Sequence, residues 1–288
     1  MRRLIQNTWV TLEMIKWEHS IFALPFALTG AVLAAGGWPP LRKVLLIVLC
    51  MVAARTAAMA FNRLVDAELD AVNPRTKMRA LPANLLQRGF VAGFVLVSAA
   101  VFVIGSAMLN RLCLILSPFT LLVLLGYSFA KRFTRWSHLI LGLALGIAPS
   151  AAWIAVRGTL DPRILVLTLA VLLWVAGFDV LYACQDFQHD SAVGLYSVPA
   201  AFGIRTAFWI ARGLHGLMLM TLVLLAILFG LGPIAMVGIA VTAGLLLYEH
   251  MIVSPGDLRR MNAAFFTLNG IISVLFFVFV AADVLYRR

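Results

Sequence analysis

The sequence predicts an all-α protein that crosses a membrane many times as one helical bundle. Three observations carry this expectation. Hydrophobic residues make up 63% of the 288-residue chain and charged residues only 12%, against about 25% charged residues in a soluble domain. The mean hydropathy is +1.00. The apolar runs are long enough to span the bilayer as helices. The alternative of one large soluble helical core is disfavoured by the same shortage of charge.

Taken in order, nine spans are expected: Ser20–Ala35, Val44–Asn62, Phe90–Leu109, Leu112–Phe129, Ser137–Val156, Ile164–Gln185, Ala207–Leu231, Pro233–Tyr248 and Ala263–Leu285. Several are short for a full crossing, so neighbouring helices must cover their ends or the bilayer must thin. The first run follows Arg2, Arg3 and Lys16 without a small-residue cleavage site, so no cleaved signal peptide is expected. No linker or composition shift divides the chain, and residues 1–288 are expected to form one domain.

An odd number of spans puts the termini on opposite sides. Fourteen of the 23 Lys and Arg residues fall on the side of the N-terminus and the loops after spans two, four, six and eight, against seven on the other. The richer side is therefore expected to be cytoplasmic. The net charge of +11 reads as cytoplasmic loops facing anionic lipid, not as a nucleic-acid surface, because the basic residues interleave with apolar spans. Cys50, Cys113 and Cys184 all lie in apolar stretches and form no CxxC pair. They read as small buried hydrophobes, with no thiol chemistry and no zinc site.

Only 12 residues are acidic, and half of them lie in two short stretches at the cytoplasmic ends of spans two and six: Asp66, Glu68 and Asp70, then Asp179, Asp186 and Asp190. Carboxylates this close to hydrocarbon are costly unless paired or bound to a cation. Asn62, Asp66 and Asp70 are spaced by four and share one helical face; Asp179, Tyr182, Asp186 and Asp190 form a second stripe. Glu68 faces elsewhere. Two facing stripes of hard oxygen ligands suit magnesium, which takes one or two carboxylates, waters and substrate phosphates, so that a diphosphate could be held between two ions. The competing reading is ordinary loop ion pairing with Arg63, Arg75 and Lys77. Lys131 and Arg132 follow span four, and Arg75, Lys77 and Arg79 follow the first stripe. Such cations would stabilise a departing diphosphate, although the positive-inside bias accounts for some of them without any site.

Other signals are weaker. His189 lies between two acids, as a ligand or as a solvated loop residue. Glu18-His19 stands at the entrance to span one. Arg55 is an intramembrane arginine, which marks a functional position or a buried partner. Trp17, Trp38 and Trp136 read as interface anchors. Glu249, His250, Asp257, Arg259 and Arg260 read as an ordinary polar loop.

These motifs resemble those of the UbiA superfamily of intramembrane aromatic prenyltransferases, of the 4-hydroxybenzoate polyprenyltransferase type. The family's NxxxDxxxD matches Asn62/Asp66/Asp70, and its DxxYxxxDxxxD matches Asp179/Tyr182/Asp186/Asp190. Its Tyr-Xaa-Xaa-Xaa-Lys-Arg segment matches Tyr127–Arg132, its Arg-Pro-Leu-Pro is similar to Arg79–Pro82, and its Gly-Ile-Lys-Ser to Gly194–Ser197. The likeness runs from about Lys16 to Gly203; the last three spans carry no recognisable motif.

The resemblance implies nine helices around a central cavity, Mg2+ dependence and an active site on the cytoplasmic side of a bacterial inner membrane. It implies that Asn62, Asp66, Asp70, Asp186 and Asp190 hold a metal–diphosphate, that Lys131 and Arg132, with Arg75 and Arg79, bind diphosphate oxygens, and that Asp179 and Tyr182 lie nearer the reacting carbon. The implied substrates are a polyprenyl diphosphate and an aromatic acid, with membrane lipid as surroundings and no nucleic acid. The implied role is 4-hydroxybenzoate prenylation for ubiquinone. Ala192 and Tyr196 stand where that branch usually has lysines. The stretch Lys16–Pro25 and Gly194–Ser197 look similar instead to a branch that would prenylate 1,4-dihydroxy-6-naphthoate for menaquinone. Lys16, His19 or Arg55 could receive the acceptor carboxylate. From a different class, a transporter without chemistry would place its sites near the bilayer midplane, not at helix ends as here.

Overall fold

The computed structural model of the chain describes residues 10–11, 13–15, 22–261 and 264–287. Lys16, Trp17, Glu18 and His19 lie outside the described residues. Nine membrane-type helices are present among those described. They are α1 (Leu24–Ala35), α2 (Leu41–Val65), α4 (Arg88–Leu109), α5 (Arg111–Gly126), α6 (Ser137–Arg157), α7 (Ile164–Ala183), α10 (Ile204–Phe229), α11 (Pro233–Ile252) and α12 (Asn269–Tyr286). Short helices α3 (Ala67–Val72), α8 (Phe187–Val193) and α9 (Val198–Phe202) lie between them. Eight of the spans are long and apolar enough to cross a membrane, and α1 is a shorter apolar helix of 12 residues. No regular strand occurs among the described residues.

Local chemistry sets the ends of these helices. Pro25 opens α1, where a missing N–H costs nothing. Gly36 closes it with φ 60°, a conformation that a side chain would strain. Asn110 caps α5 by accepting from the Cys113 amide at 2.9 Å.

Neighbouring helices close a circuit. α2 packs on α4, α4 on α5, α5 on α6, α6 on α7, α7 on α10, α10 on α11, α11 on α12, and α12 on α1, which returns to α2 and leans on α6. In hydrocarbon, helices associate through close packing, and small residues permit it here. A Cβ on Gly142 of α6 would lie 2.4 Å from the Leu172 carbonyl oxygen of α7, and one on Gly30 of α1 would lie 2.3 Å from that of Pro149. The main apolar core gathers Phe26, Trp174, Leu222 and Phe276 from α1, α7, α10 and α12. Large apolar side chains such as Leu96, Phe119, Leu122 and Ile227 face outward, as a lipid-facing surface requires. Trp38 and Trp136 are exposed at helix ends. Cys50 and Cys184 are buried and Cys113 half-buried, all as free thiols.

One expected loop is helix. The eighth span runs to Ile252, and Glu249 within it is 1% exposed, its Oε1 accepting from Asn269 Nδ2 at 3.4 Å. His250 pairs with His215 of α10 at 2.9 Å between ring nitrogens. Both residues belong to the bundle interior. Asp257 and Arg259 do form a solvent-facing pair in the loop that follows.

Candidate active site at a polar cavity

The ends of α2 and α7, the start of α6, the turn after α5, and Phe22 and Phe266 just before α1 and α12 surround a cavity of about 290 Å3. The residues that the resemblance implies for metal, diphosphate and the reacting carbon all line it. Asn62, Asp66 and Asp70 come from the first stripe, with Arg75 and Arg79 beyond it; Asp179, Tyr182, Asp186 and Asp190 come from the second stripe; Lys131 and Arg132 come from between them.

Helical geometry puts each stripe there, with one break apiece. α2 ends at Val65 and α3 begins at Ala67, so Asp66 sits at the joint, yet its amide still reaches the Asn62 carbonyl at 2.9 Å and its carbonyl receives the Asp70 amide at 2.7 Å. The second stripe passes from α7 through a 3-10 turn, Cys184–Asp186, into α8. A similar turn, Tyr127–Arg132, ends the fourth span and turns Lys131 and Arg132 inward. The Lys131 carbonyl receives the Tyr196 amide at 2.8 Å, tying this turn to the Gly194–Ser197 loop.

Charges alternate around the cavity. Arg79 Nη1 lies 2.7 and 2.8 Å from the two Asp70 oxygens. Arg75 forks onto Asp186, with Nε 2.8 Å from Oδ1 and Nη2 2.5 Å from Oδ2, and its Nη1 donates to the Tyr182 hydroxyl at 3.2 Å. Asn73 Nδ2 adds a third donor to Asp186 at 3.3 Å. Arg132 reaches Asp66 Oδ1 at 3.2 Å, while Asn62 Nδ2 donates to Asp66 Oδ2 at 2.9 Å. The ion pairing expected as the competing reading is therefore present: Arg75 crosses the cavity to Asp186 of the other stripe, whereas Arg79 and Arg63 pair with Asp70 of their own stripe. Burial draws the Arg75 guanidinium toward neutrality, but the hydrogen bonds and charge of Asp186 outweigh this and hold its pKa above the usual arginine value. Burial, then the neighbouring Asp70 charge, raises that of Asp66. The Lys131 ammonium sits in the negative field of Asp190, Asp179, Asp186 and Asp66.

The donor set fits magnesium. Among the described residues no three carboxylate, imidazole or thiol groups form a metal cage by themselves, but magnesium completes its shell with phosphate and water oxygens. All the donors are carboxylate or amide oxygens, and Asp190 Oδ2 is buried without a hydrogen-bond partner, which is costly for a polar atom.

Glu68 points away, 85% exposed and beside Arg88. His189 lines the cavity, closer to the site than a solvated loop residue would be. Sequence reasoning missed His138, whose Nδ1 lies 2.6 Å from Asp179 Oδ2, and Asn73; only the presence of a histidine at the start of a span pointed to the first. A second cavity of about 380 Å3 continues from the polar one toward the opposite face of the membrane, lined by apolar residues of α1, α2, α4, α5 and α6. Arg55, Met59, Tyr127, Leu141 and Leu145 line both. Arg55 Nε is buried there without a hydrogen-bond partner.

The profile of the UbiA prenyltransferase family matches residues 23–271. The chain belongs to that family. The match reaches into α12, well past the motif-bearing part of the sequence. A 4-hydroxybenzoate octaprenyltransferase of Vibrio cholerae is 33% identical over 265 residues, covering 91% of this chain and 92% of the relative. A mitochondrial 4-hydroxybenzoate polyprenyltransferase of Arabidopsis thaliana is 28% identical over 205 residues, 71% of this chain and 48% of the relative. Among solved structures, a UbiA homolog from Aeropyrum pernix K1 superposes with a TM-score of 0.84 at 32% identity, covering 93% of this chain and 98% of that one. A UbiA homolog from Archaeoglobus fulgidus bound to DMAPP and Mg2+ shares the fold, with a TM-score of 0.72 at 19% identity over 95% of this chain and 98% of that one. The UbiA member described here is an integral membrane prenyltransferase, which decides the choice between enzyme and transporter for the enzyme.

Proposed function

We propose that the enzyme transfers a polyprenyl group from its diphosphate to an aromatic acid of the 4-hydroxybenzoate type, in quinone biosynthesis, with Mg2+ and with its site facing the cytoplasm of a bacterial inner membrane. The observation that carries this reading is the pair of joined cavities: one lined by alternating carboxylates and cations, the other apolar and continuous with it. An amphiphile with a diphosphate head and a polyprenyl tail matches that division.

Asn62, Asp66, Asp70, Asp186 and Asp190 would hold magnesium, which when bound neutralises diphosphate charge. Lys131, Arg132, Arg75 and Arg79 orient the diphosphate oxygens and stabilise charge as the carbon–oxygen bond breaks and its electron pair leaves with the diphosphate. The allylic carbon becomes cation-like among Phe22, Phe178, Tyr182 and Phe266, whose rings line the cavity and can face a cation. The ring of the acceptor attacks that carbon, a carbon–carbon bond forms, and the displaced ring proton passes to Asp179. A cavity that excludes water protects the cation from hydrolysis. Arg55, between the two cavities, serves the acceptor carboxylate.

The test is diphosphate release by purified enzyme in detergent with Mg2+, a long-chain prenyl diphosphate, and either 4-hydroxybenzoate or 1,4-dihydroxy-6-naphthoate. Turnover with 4-hydroxybenzoate supports the reading. Turnover with the naphthoate alone moves the enzyme to menaquinone synthesis with the mechanism intact. No turnover with either, in protein that still binds the diphosphate, discards both acceptors.

A further inference from the structure

We propose that His138 is a positioning residue that holds Asp179 in one orientation for the transfer step. The inference rests on the function proposed above for its catalytic consequence, but its geometry stands apart from it. His138 opens the first turn of α6, is 1% exposed and lies behind the cavity wall, whereas Asp179 of α7 lines the cavity.

The two ring nitrogens have different partners, and these fix the proton. Nε2 lies 3.2 Å from the backbone nitrogen of Val198, at the start of α9. An amide N–H can only donate, so Nε2 is the acceptor and carries no hydrogen. The ring proton is then on Nδ1, which donates to Asp179 Oδ2 at 2.6 Å. A doubly protonated ring would set N–H against N–H at Val198. Asp179 therefore has one oxygen engaged by a buried neutral imidazole, and its Oδ1 is the oxygen left to the cavity. The same contact ties α6, α7 and α9 together. α9 follows the loop whose Tyr196 amide is bonded to the Lys131 carbonyl, so the deep carboxylate and the cation-bearing turn share one support.

The role separates from simple space filling by the chemistry of two variants. His138→Gln keeps one donor and one acceptor on an amide; His138→Phe keeps ring volume and removes both hydrogen bonds. In the full-length enzyme, His138→Phe is expected to lower kcat about 10–100-fold, the usual cost of losing such a supporting contact, with KM for the prenyl diphosphate unchanged. His138→Gln is expected to stay within about threefold of wild type, since its amide restores both bonds. Wild-type kcat in His138→Phe would overturn the proposal, as would a loss in both variants carried by thermal stability alone.

A second readout does not need turnover. Nitrogen NMR of imidazole-labelled protein should show His138 protonated at Nδ1 and bare at Nε2, and a proton on Nε2 would overturn the proposal whether or not His138→Phe folds. If wild-type enzyme prenylates no aromatic acid while His138 shows the Nδ1–H form, the proposed function fails and the contact stands.

Discussion

Replacing Asp186 with asparagine removes the charge from a carboxylate that three N–H groups address, at 2.5, 2.8 and 3.3 Å. The asparagine can still accept at one atom, but its NH2 must face an Arg75 N–H at the other. Breaking a fully buried ion pair costs about 3–5 kcal/mol. Here Asp186 is 8% exposed but Arg75 is 33% exposed and can turn toward water, so the expected loss of stability is smaller, about 1–3 kcal/mol. The loss of activity should be larger if Asp186 also holds magnesium–diphosphate: about 100-fold or more in kcat/KM, equivalent to about 2.7 kcal/mol. The assay is diphosphate release across a magnesium titration, with thermal unfolding in detergent alongside. Arg75→Gln and the double variant complete the cycle. The expected result is that Asp186→Asn raises the magnesium needed for half-maximal rate, and that adding Arg75→Gln restores stability in part without restoring rate. If the double variant instead regains the rate and magnesium response of Arg75→Gln alone, Asp186 is only an ion-pair partner and the metal reading fails at this residue.

Three further outcomes are expected. Arg55→Leu should raise the acceptor KM about tenfold or more while leaving the prenyl-diphosphate KM unchanged, measured by varying each substrate, since it removes the buried cation at the junction of the cavities. Gly142→Val should destabilise the bundle by about 1–3 kcal/mol, read from unfolding in mixed micelles, because the new Cβ would lie 2.4 Å from the Leu172 carbonyl oxygen. Asp283→Ala should cost about 1–2 kcal/mol without changing turnover per folded molecule: its carboxylate accepts from the amides of Gly232 and Ala235 at 2.7 and 3.3 Å and caps α11, far from the site.

The spans were legible because a lipid-embedded helix must satisfy its own backbone and stay apolar along its length, and that requirement is local. Spans expected at Ser137–Val156 and Ile164–Gln185 are helices Ser137–Arg157 and Ile164–Ala183. The acid stripes were legible for a related reason: a carboxylate near hydrocarbon is conspicuous, and a four-residue spacing fixes its face. Partnership across the bundle was not legible. Glu249 and His250 read as a polar loop because their partners, Asn269 and His215, lie on other helices. His138 lies 41 residues from Asp179, and Arg75 lies 111 from Asp186. No spacing rule reaches such distances, so the sequence pointed to the polar groups but not to which would meet.

That distinction bears on the two readings of the acids, which are not exclusive. Arg75 and Arg79 engage Asp186 and Asp70 in the cavity wall, and the same guanidiniums are the groups the proposed reaction needs beside a diphosphate. A cavity lined only by carboxylates would carry repulsion into the membrane, at a cost of several kcal/mol for each uncompensated charge. Interleaving arginine with aspartate keeps the wall near neutral. Under the proposed function, the same guanidiniums would turn from the carboxylates to an incoming diphosphate, and the carboxylates to the metal that arrives with it. The ion pairs thus belong to the same device as the proposed metal site, and the double-variant cycle at Asp186 and Arg75 separates their two contributions.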